Sequence, residues 1–433
     1  MTDLYISNYG KLSILESKDS IISYDQNSKK WLSMNKNLEE ILLLCQGGLT
    51  LEQIIKQISR DHLISEDEIM DKVLTPILSL KKDGLVFERE EKEDKPIRLK
   101  EYKFEFPLIS AFVEITKRCN LKCSHCYNES SKDQEDELPR ANLSNFLNQA
   151  DQIGVFNIFL TGGEPFVRRD FIDILYEIKE RGMETGILTN GTLLNKGIIK
   201  KLAELNPKFL AVSLESINPE KYWKIRGIDN SIVIKNILEM KEQRINVKIN
   251  NVLFNGLNDS YEDIKELLIF LKKNGFSRGD IAFDEVLDIG RGKSLQDYLI
   301  QNKSSVVKDY KRAFKDIFQE EVANKPTYGD SIRTSFCGLG EGILYLTSRA
   351  DLTLCTILTD ERFKAGNIRE KTLREIWEKS DKFNYFRRKE HIKNSECEDC
   401  SKLTECAGGC KAKSILLEED FNKPDRWACK FYF

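Results

Sequence analysis

Apolar residues recur at helical spacing in three successive segments: Leu38, Ile41, Leu42 and Cys45; then Leu51, Ile54, Ile55 and Ile58; then Ile69, Val73, Ile77 and Leu80. Spacings of three and four residues place each set on one face of a helix. Two of the predicted helices open with a capping-box pattern, Thr50 to Gln53 and Ser65 to Glu68, in which side chains satisfy amides left free at a helix start. Shorter apolar runs at Leu12–Leu15, Ile21–Tyr24 and Leu85–Phe87 predict strands. This order of elements suggests a winged-helix-like unit over residues 1–88. Cys45 falls on an apolar stripe and is assigned to core packing. From Glu88 the stretch EREEKEDKPIRLKEYK is dense in charge and holds a proline, so residues 89–107 are expected to form a solvated linker.

Beyond residue 107 the pattern changes to α/β alternation. Apolar runs at Phe112–Ile115, Ile158–Leu160, Thr185–Leu188, Phe209–Leu214, Val247–Leu253 and Ile281–Phe283 are separated by helical segments. Such alternation means parallel strands with crossover helices, in an open sheet or a partial barrel. Either architecture binds ligands at the carboxyl ends of its strands, so functional residues should directly follow strands. This region is taken as 108–300, followed by a helical bridge at 301–335 and a cysteine-rich domain at 336–433.

Charge and composition narrow the class. The 433 residues balance 67 Lys and Arg against 70 Asp and Glu, a net charge of -3. That balance argues against a broad nucleic-acid-binding face or a polybasic membrane patch. Neither a long apolar run nor a basic-then-apolar N-terminus is present, so the expectation is a cytoplasmic protein without a membrane partner. In such a compartment thiols stay reduced, which makes eleven cysteines a sign of metal ligation. All but Cys45 fall in two groups, at 119–126 and 337–429.

The first group follows the strand Phe112–Ile115 as TKRCNLKCSHCYN, with Cys119, Cys123 and Cys126 at Cys-x3-Cys-x2-Cys spacing. Three thiolates on one loop can wrap one side of a cuboidal iron-sulfur cluster and leave its fourth iron open. Structural zinc would need a fourth ligand, for which His125 is at hand, although loop packing is the simpler role for it. This spacing, followed by the aromatic Tyr127, resembles the radical S-adenosylmethionine (SAM) superfamily. The resemblance implies a partial (β/α)6 barrel whose open iron is chelated by SAM, and cleavage of SAM to a 5'-deoxyadenosyl radical. It further implies SAM contacts from Gly162, Gly163 and Glu164 in TGGEP, from Asn190, from Ser213 and Glu215, and from Arg226 in KIRG, each just past a predicted strand or in the segment that follows.

The second group comprises Cys337, Cys355, Cys397, Cys400, Cys406, Cys410 and Cys429. Zinc is the plain alternative for such spacing. The run CEDCSKLTECAGGCKAK, preceded by GNIREKTLREIW, resembles the SPASM domain of radical SAM peptide maturases, which carries auxiliary 4Fe-4S clusters. The resemblance implies a distal cluster on Cys397, Cys400, Cys406 and Cys429, and a proximal one on Cys337, Cys355 and Cys410, hence three 4Fe-4S clusters in all. Only three ligands are in sight for the proximal cluster, because the preceding segment YGDSIRTSFC offers Ser331 and Ser335 where some relatives have a cysteine. Ala350 stands where a glycine is usual, which puts the local turn in doubt.

Residues 1–88 resemble the peptide-recognition element of such maturases, which binds a leader by strand addition. A DNA-binding winged helix would want a basic face, whereas residues 1–100 hold 15 Lys and Arg against 18 Asp and Glu. The chain is therefore expected to be a maturase akin to sactipeptide and ranthipeptide thioether synthases. Its partners would be a precursor peptide with a leader and a cysteine-containing core, and an electron donor such as flavodoxin or ferredoxin. The vacant proximal iron would take the substrate thiolate. Alternatives are carbon-carbon or other oxidative crosslinking, sulfatase-type formylglycine maturation, and a non-catalytic peptide scaffold.

Overall fold

The computed structural model describes residues 5–8, 12–16, 21–25, 30–92, 100–103, 105–319, 337–387, 395–420 and 422–432. They divide into two units, Met1–Pro107 and Leu108–Phe433.

The first unit contains strands β1 (Tyr5–Asn8), β2 (Leu12–Glu16), β3 (Ile21–Asp25), β4 (Lys30–Met34), β5 (Gln46–Thr50), β6 (Val86–Arg89) and β7 (Lys100–Lys103). Helices Lys36–Leu44, Leu51–His62 and Glu66–Lys82 carry the predicted stripes inward, and Ile54, Ile58, Val73, Ile77 and Leu80 are buried with Cys45 in one core. The Thr50 capping box forms in both directions: the Thr50 hydroxyl accepts from the Gln53 amide, and the Gln53 side chain accepts from the Thr50 amide. At Ser65 the hydroxyl accepts from the Glu68 amide, and it donates in turn to the Glu68 carboxylate. Strands pair in two sheets, in the orders β5-β1-β6 and β4-β3-β2-β7.

Within the expected linker there is a strand. Residues Lys100–Lys103 form β7, which pairs parallel with β2 from Ser13↔Lys100 to Glu16↔Lys103. Charge density suggested a solvated loop, but β7 is the edge strand of its sheet, a position where charged residues are commonly found.

In the second unit β8 (Ser110–Thr116), β9 (Asn157–Gly162), β10 (Glu184–Thr189), β11 (Phe209–Ser213), β12 (Val247–Leu253) and β13 (Ile281–Glu285) run parallel in sequence order. Helices cross over between them, including Arg140–Gln152, Phe171–Glu180, Lys196–Leu205, Ser231–Glu242 and Tyr261–Lys273. Buried parallel strands read as near-continuous apolar runs, which is why the six were visible in the sequence. The sheet does not close between β8 and β13, so the barrel is partial.

Instead, the β8 edge is covered by β14 (Ile343–Leu346), parallel to it from Ile343↔Ser110 to Leu346↔Val113. Strands β15 (Asp351–Thr353) and β16 (Lys364–Asn367) extend the same sheet antiparallel. The cysteine-rich region thus begins as a continuation of the barrel sheet. The β14–β15 turn forms with Ala350 at φ 67°, its amide bonded to the Thr347 carbonyl at 2.9 Å and its carbonyl to the Ile368 amide at 3.0 Å. Holding a non-glycine residue left-handed costs about 1–2 kcal/mol. Of the expected bridge, Lys303–Phe318 is helix, while Ser331 and Ser335 lie outside the described residues. Among the described residues no helix is long and apolar enough to cross a membrane.

Candidate active site

Strand β8 delivers its chain into the cysteine loop. Cys119 and Cys123 are buried and Cys126 half-buried. The loop is fixed mainly through its backbone. The Cys119 amide donates to the Ser131 carbonyl at 3.0 Å, and the Ser124 amide and hydroxyl donate to the Ile225 carbonyl at 3.2 and 3.1 Å. Burial pushes the Cys119 thiol up to about 12, partly countered by the Leu121 amide 3.4 Å from its sulfur. Cys123 is raised by burial too, against the pull of Arg226. Thiols in that condition bind iron only by giving up protons, so loading the loop is coupled to proton release.

The strand ends beside it converge on the same loop. Gly162 and Gly163 lie so close to the neighbouring chain that a Cβ on either would overlap the carbonyl oxygens of Thr116 and Arg118. Close approach of backbone to backbone, and not merely to a ligand, therefore explains the glycines. Their register aims Glu164 inward, where its carboxylate accepts from the Thr189 hydroxyl (2.8 Å), the Asn190 amide (2.7 Å) and the Phe166 amide (3.2 Å). Burial pushes Glu164 up to about 7, with those donors opposing. The Asn190 side chain reaches Asn120 at 3.0 Å and the Cys119 sulfur at 3.8 Å. Arg226 and Glu215 form a bidentate pair, and Arg226 Nη1 also lies 3.5 Å from the Cys123 sulfur. Ser213 sits half-buried at the end of β11. His125 packs edge-on against Phe254, ring centroids 5.2 Å apart, with its Nδ1 buried and without a hydrogen-bond partner.

The remaining thiols fall into two sets that feel one another's charge. Burial pushes Cys355 up to about 12, and Cys410 and Cys337 add to the shift. Cys410 is raised to about 11 by burial, with Cys337 reinforcing it. Elsewhere Cys406 is pushed up to about 12 by burial, then by Cys429 and Cys397, and Cys429 responds to Cys397 and Cys400. Closely spaced cysteine thiols are the donor set that iron-sulfur clusters take, so the residues present fit such groups. Among the described residues no three His, Cys, Asp or Glu side chains converge closely enough to hold one metal ion.

Comparison with known families gives two matches: residues 113–270 to the radical SAM superfamily, and residues 337–401 to the iron-sulfur cluster-binding SPASM domain. The chain thus carries a radical SAM domain and a SPASM domain. It is 28% identical to the AdoMet-dependent heme synthase of Methanosarcina barkeri over 71% of this chain and 92% of that protein. It is 26% identical to the subtilosin biosynthesis protein AlbA of Bacillus subtilis over 78% of this chain and 75% of that one. Streptococcus suis SuiB, solved with its precursor peptide SuiA, shares the fold with TM-score 0.70 and 19% identity, over 98% of this chain and 99% of SuiB.

The radical SAM domain also holds its cysteine loop with residues that sequence reasoning passed over. Arg291, just past β13, donates from Nε to the Cys123 carbonyl and from Nη2 to the Ser130 carbonyl, both at 2.8 Å, while its amide donates to the Cys126 carbonyl at 3.1 Å. Gly290 precedes it at φ 53°, where a Cβ would overlap the Tyr127 carbonyl oxygen. Buried Arg168 donates to the carbonyls of Ile115 (2.9 Å) and Leu138 (2.7 Å), tying both ends of the loop to one side chain. The available signals were Gly290-Arg291-Gly292 after a predicted strand and one acid, Glu114, inside an otherwise apolar strand.

Proposed function

We propose that the protein matures a ribosomally made peptide by joining a substrate cysteine sulfur to a carbon as a thioether. The observation that carries this reading is the count of thiols at the proximal set. Cys337, Cys355 and Cys410 offer three ligands, and the one cysteine outside the two groups, Cys45, is fully buried in the core of the other unit with its thiol donating to the Ile41 carbonyl at 3.2 Å. A position is left for a thiolate from elsewhere, and a substrate cysteine has the right chemistry.

When bound, a 4Fe-4S cluster on Cys119, Cys123 and Cys126 together with SAM supplies a 5'-deoxyadenosyl radical able to take hydrogen from an unactivated carbon. SAM is assigned to the strand ends bearing Gly162, Gly163, Glu164, Asn190, Ser213, Glu215 and Arg226. Of these, Arg226 has a second task, because its guanidinium steadies the Cys123 thiolate while Glu215 holds it in place. Two further clusters are assigned, one to the proximal set and one to Cys397, Cys400, Cys406 and Cys429, for three in all. An external flavodoxin or ferredoxin would supply electrons. The leader is assigned to the first unit, where an edge of the β5-β1-β6 sheet can add a strand. Support for a peptide substrate comes from AlbA, a subtilosin biosynthesis protein, and SuiB, solved with a precursor peptide.

The test is anaerobic incubation of the iron-loaded protein with SAM, reductant and a cysteine-containing precursor, read by tandem mass spectrometry. A thioether product, with two hydrogens lost per bond and none from the Cys-to-Ala peptide, is the expected result. Equal crosslinking of the cysteine-free peptide would favour a carbon-carbon bond, and conversion of a single cysteine or serine to formylglycine would favour the sulfatase-type alternative.

A further inference from the structure

A carboxylate that no part of the proposed chemistry uses is buried where the first cysteine loop meets the start of the cysteine-rich region. Glu114 on β8 is 1% exposed. One of its oxygens accepts from Asn128 Nδ2 (2.6 Å) and Tyr345 Oη (3.0 Å), the other from the Ser348 amide (3.0 Å) and Ser348 Oγ (2.6 Å). The donor residues are neutral and buried, and they come from two segments far apart in the chain. Asn128 lies two residues past Cys126 and opens the stretch that backs the cysteine loop. In that stretch Ser130 Oγ accepts a second bond from Asn128 Nδ2 at 3.2 Å, and the Ser131 carbonyl accepts from the Cys119 amide at 3.0 Å. Tyr345 belongs to β14 and Ser348 to the turn between β14 and β15, so both come from the cysteine-rich region.

The same turn touches the loop at a second place. Arg349 donates from Nε and Nη2 to Asp136 Oδ2 at 3.0 and 2.8 Å, and the Asp136 carbonyl accepts from the Lys117 amide at 2.7 Å. The Arg349 side chain is 69% exposed, and an ion pair in water contributes little. A buried carboxylate stripped of donors, in contrast, keeps its desolvation cost without the compensation. Of two neighbouring residues in one turn, Ser348 therefore grips the loop strongly and Arg349 weakly.

We propose that Glu114 is a positioning residue that makes the shape of the first cysteine loop conditional on the seating of the cysteine-rich region. It acts on the loop through Asn128 and the stretch up to Ser131. With β14 and its turn seated, all four bonds are made. With the turn displaced, the three bonds from Tyr345 Oη, the Ser348 amide and Ser348 Oγ are lost together, and Asn128 alone cannot satisfy the carboxylate. Water then enters around Glu114, and Asn128 is drawn out with the loop behind it. The coupling rests on these hydrogen bonds alone. Its consequence rests on the ligand assignment in the proposed function: Cys119, Cys123 and Cys126 are not held ready for iron ahead of the region that takes the substrate thiolate.

The test is hydrogen-deuterium exchange on the metal-free full chain, so its outcome does not depend on which bond the enzyme makes. Peptides covering 117–131 report the loop, those covering 343–355 report the turn, and those from β11 and β12 report that each variant is folded. Ser348→Ala, which changes only the cysteine-rich region, is expected to speed exchange over 117–131 about tenfold, whereas Arg349→Ala changes it less than about twofold. Glu114→Gln turns one acceptor oxygen into a donor facing the Asn128 amide nitrogen and is expected to loosen both segments. Adding Asn128→Asp to it restores a donor-acceptor pair with the roles exchanged, and exchange in both segments is expected to return to within about twofold of the parent. Parental exchange over 117–131 in folded Ser348→Ala and Glu114→Gln chains would overturn the proposal. So would an equal effect from Arg349→Ala, or a double variant no tighter than Glu114→Gln alone.

Discussion

Arg291→Met removes the guanidinium donors that hold the cysteine loop but keeps an apolar stem in the same place. Two bonds of 2.8 Å to backbone carbonyls are lost, and the oxygens of Cys123 and Ser130 are left short of partners. Hydrogen bonds from a charged donor contribute about 1.5 kcal/mol or more each, so the loop loses about 3 kcal/mol of local stability. Because 1.4 kcal/mol is a factor of ten, its opening equilibrium should rise about a hundredfold. Hydrogen-deuterium exchange on peptides covering residues 117–131, before iron is added, reads that change directly. Peptides from β10 and β11 serve as internal controls, since Arg291 does not bond to them. Exchange at the parental rate over 117–131 in a folded variant would refute the claim that Arg291 fixes this loop.

Other outcomes follow from the same geometry. Replacing Cys119, Cys123 and Cys126 by alanine should abolish SAM cleavage to 5'-deoxyadenosine while iron bound by the C-terminal cysteines persists; retained cleavage would remove the first loop from the chemistry. Ala350→Gly relieves a left-handed strain of about 1–2 kcal/mol but loses a buried methyl worth about 0.8 kcal/mol and loosens the unfolded chain by a similar amount, so denaturant unfolding should shift little. Ala350→Val, in contrast, should destabilise clearly, because a β-branched residue tolerates φ 67° poorly. Glu164, raised to about 7 by burial, binds its proton more tightly folded than unfolded. Its stabilising contribution is therefore full below the ordinary carboxylate pKa and is lost as pH climbs through about 7, and Glu164→Gln should flatten the stability profile over that window.

Much of the fold was legible because the strands of a partial barrel are buried on both faces and read as apolar runs. Candidate cysteine sets could be proposed from the sequence because ligand spacing is a local property of the chain. What escaped was non-local. Nothing in the run Ile343–Leu346 says that it pairs with a strand more than two hundred residues earlier, yet that pairing joins the cysteine-rich region to the barrel. Arg291 bonds to carbonyls some 160 residues away, and carbonyl partners leave no mark in side-chain sequence. Arg226 and Glu215 were each placed near SAM from their motifs, but their mutual pairing and the contact with Cys123 needed coordinates. Charge misled at Lys100–Lys103, where an edge strand carries the composition of a linker. At Ala350, where a glycine is usual, the turn holds an alanine at φ 67°, at a conformational cost.

The central claim is that the proximal set keeps a position for a substrate thiolate. An anaerobic Mössbauer and EPR titration of the iron-loaded protein with a cysteine-containing precursor tests it most directly. The account predicts a proximal-cluster signal that changes on adding the peptide and does not change with its Cys-to-Ala version. An unchanged signal despite tight peptide binding would contradict it.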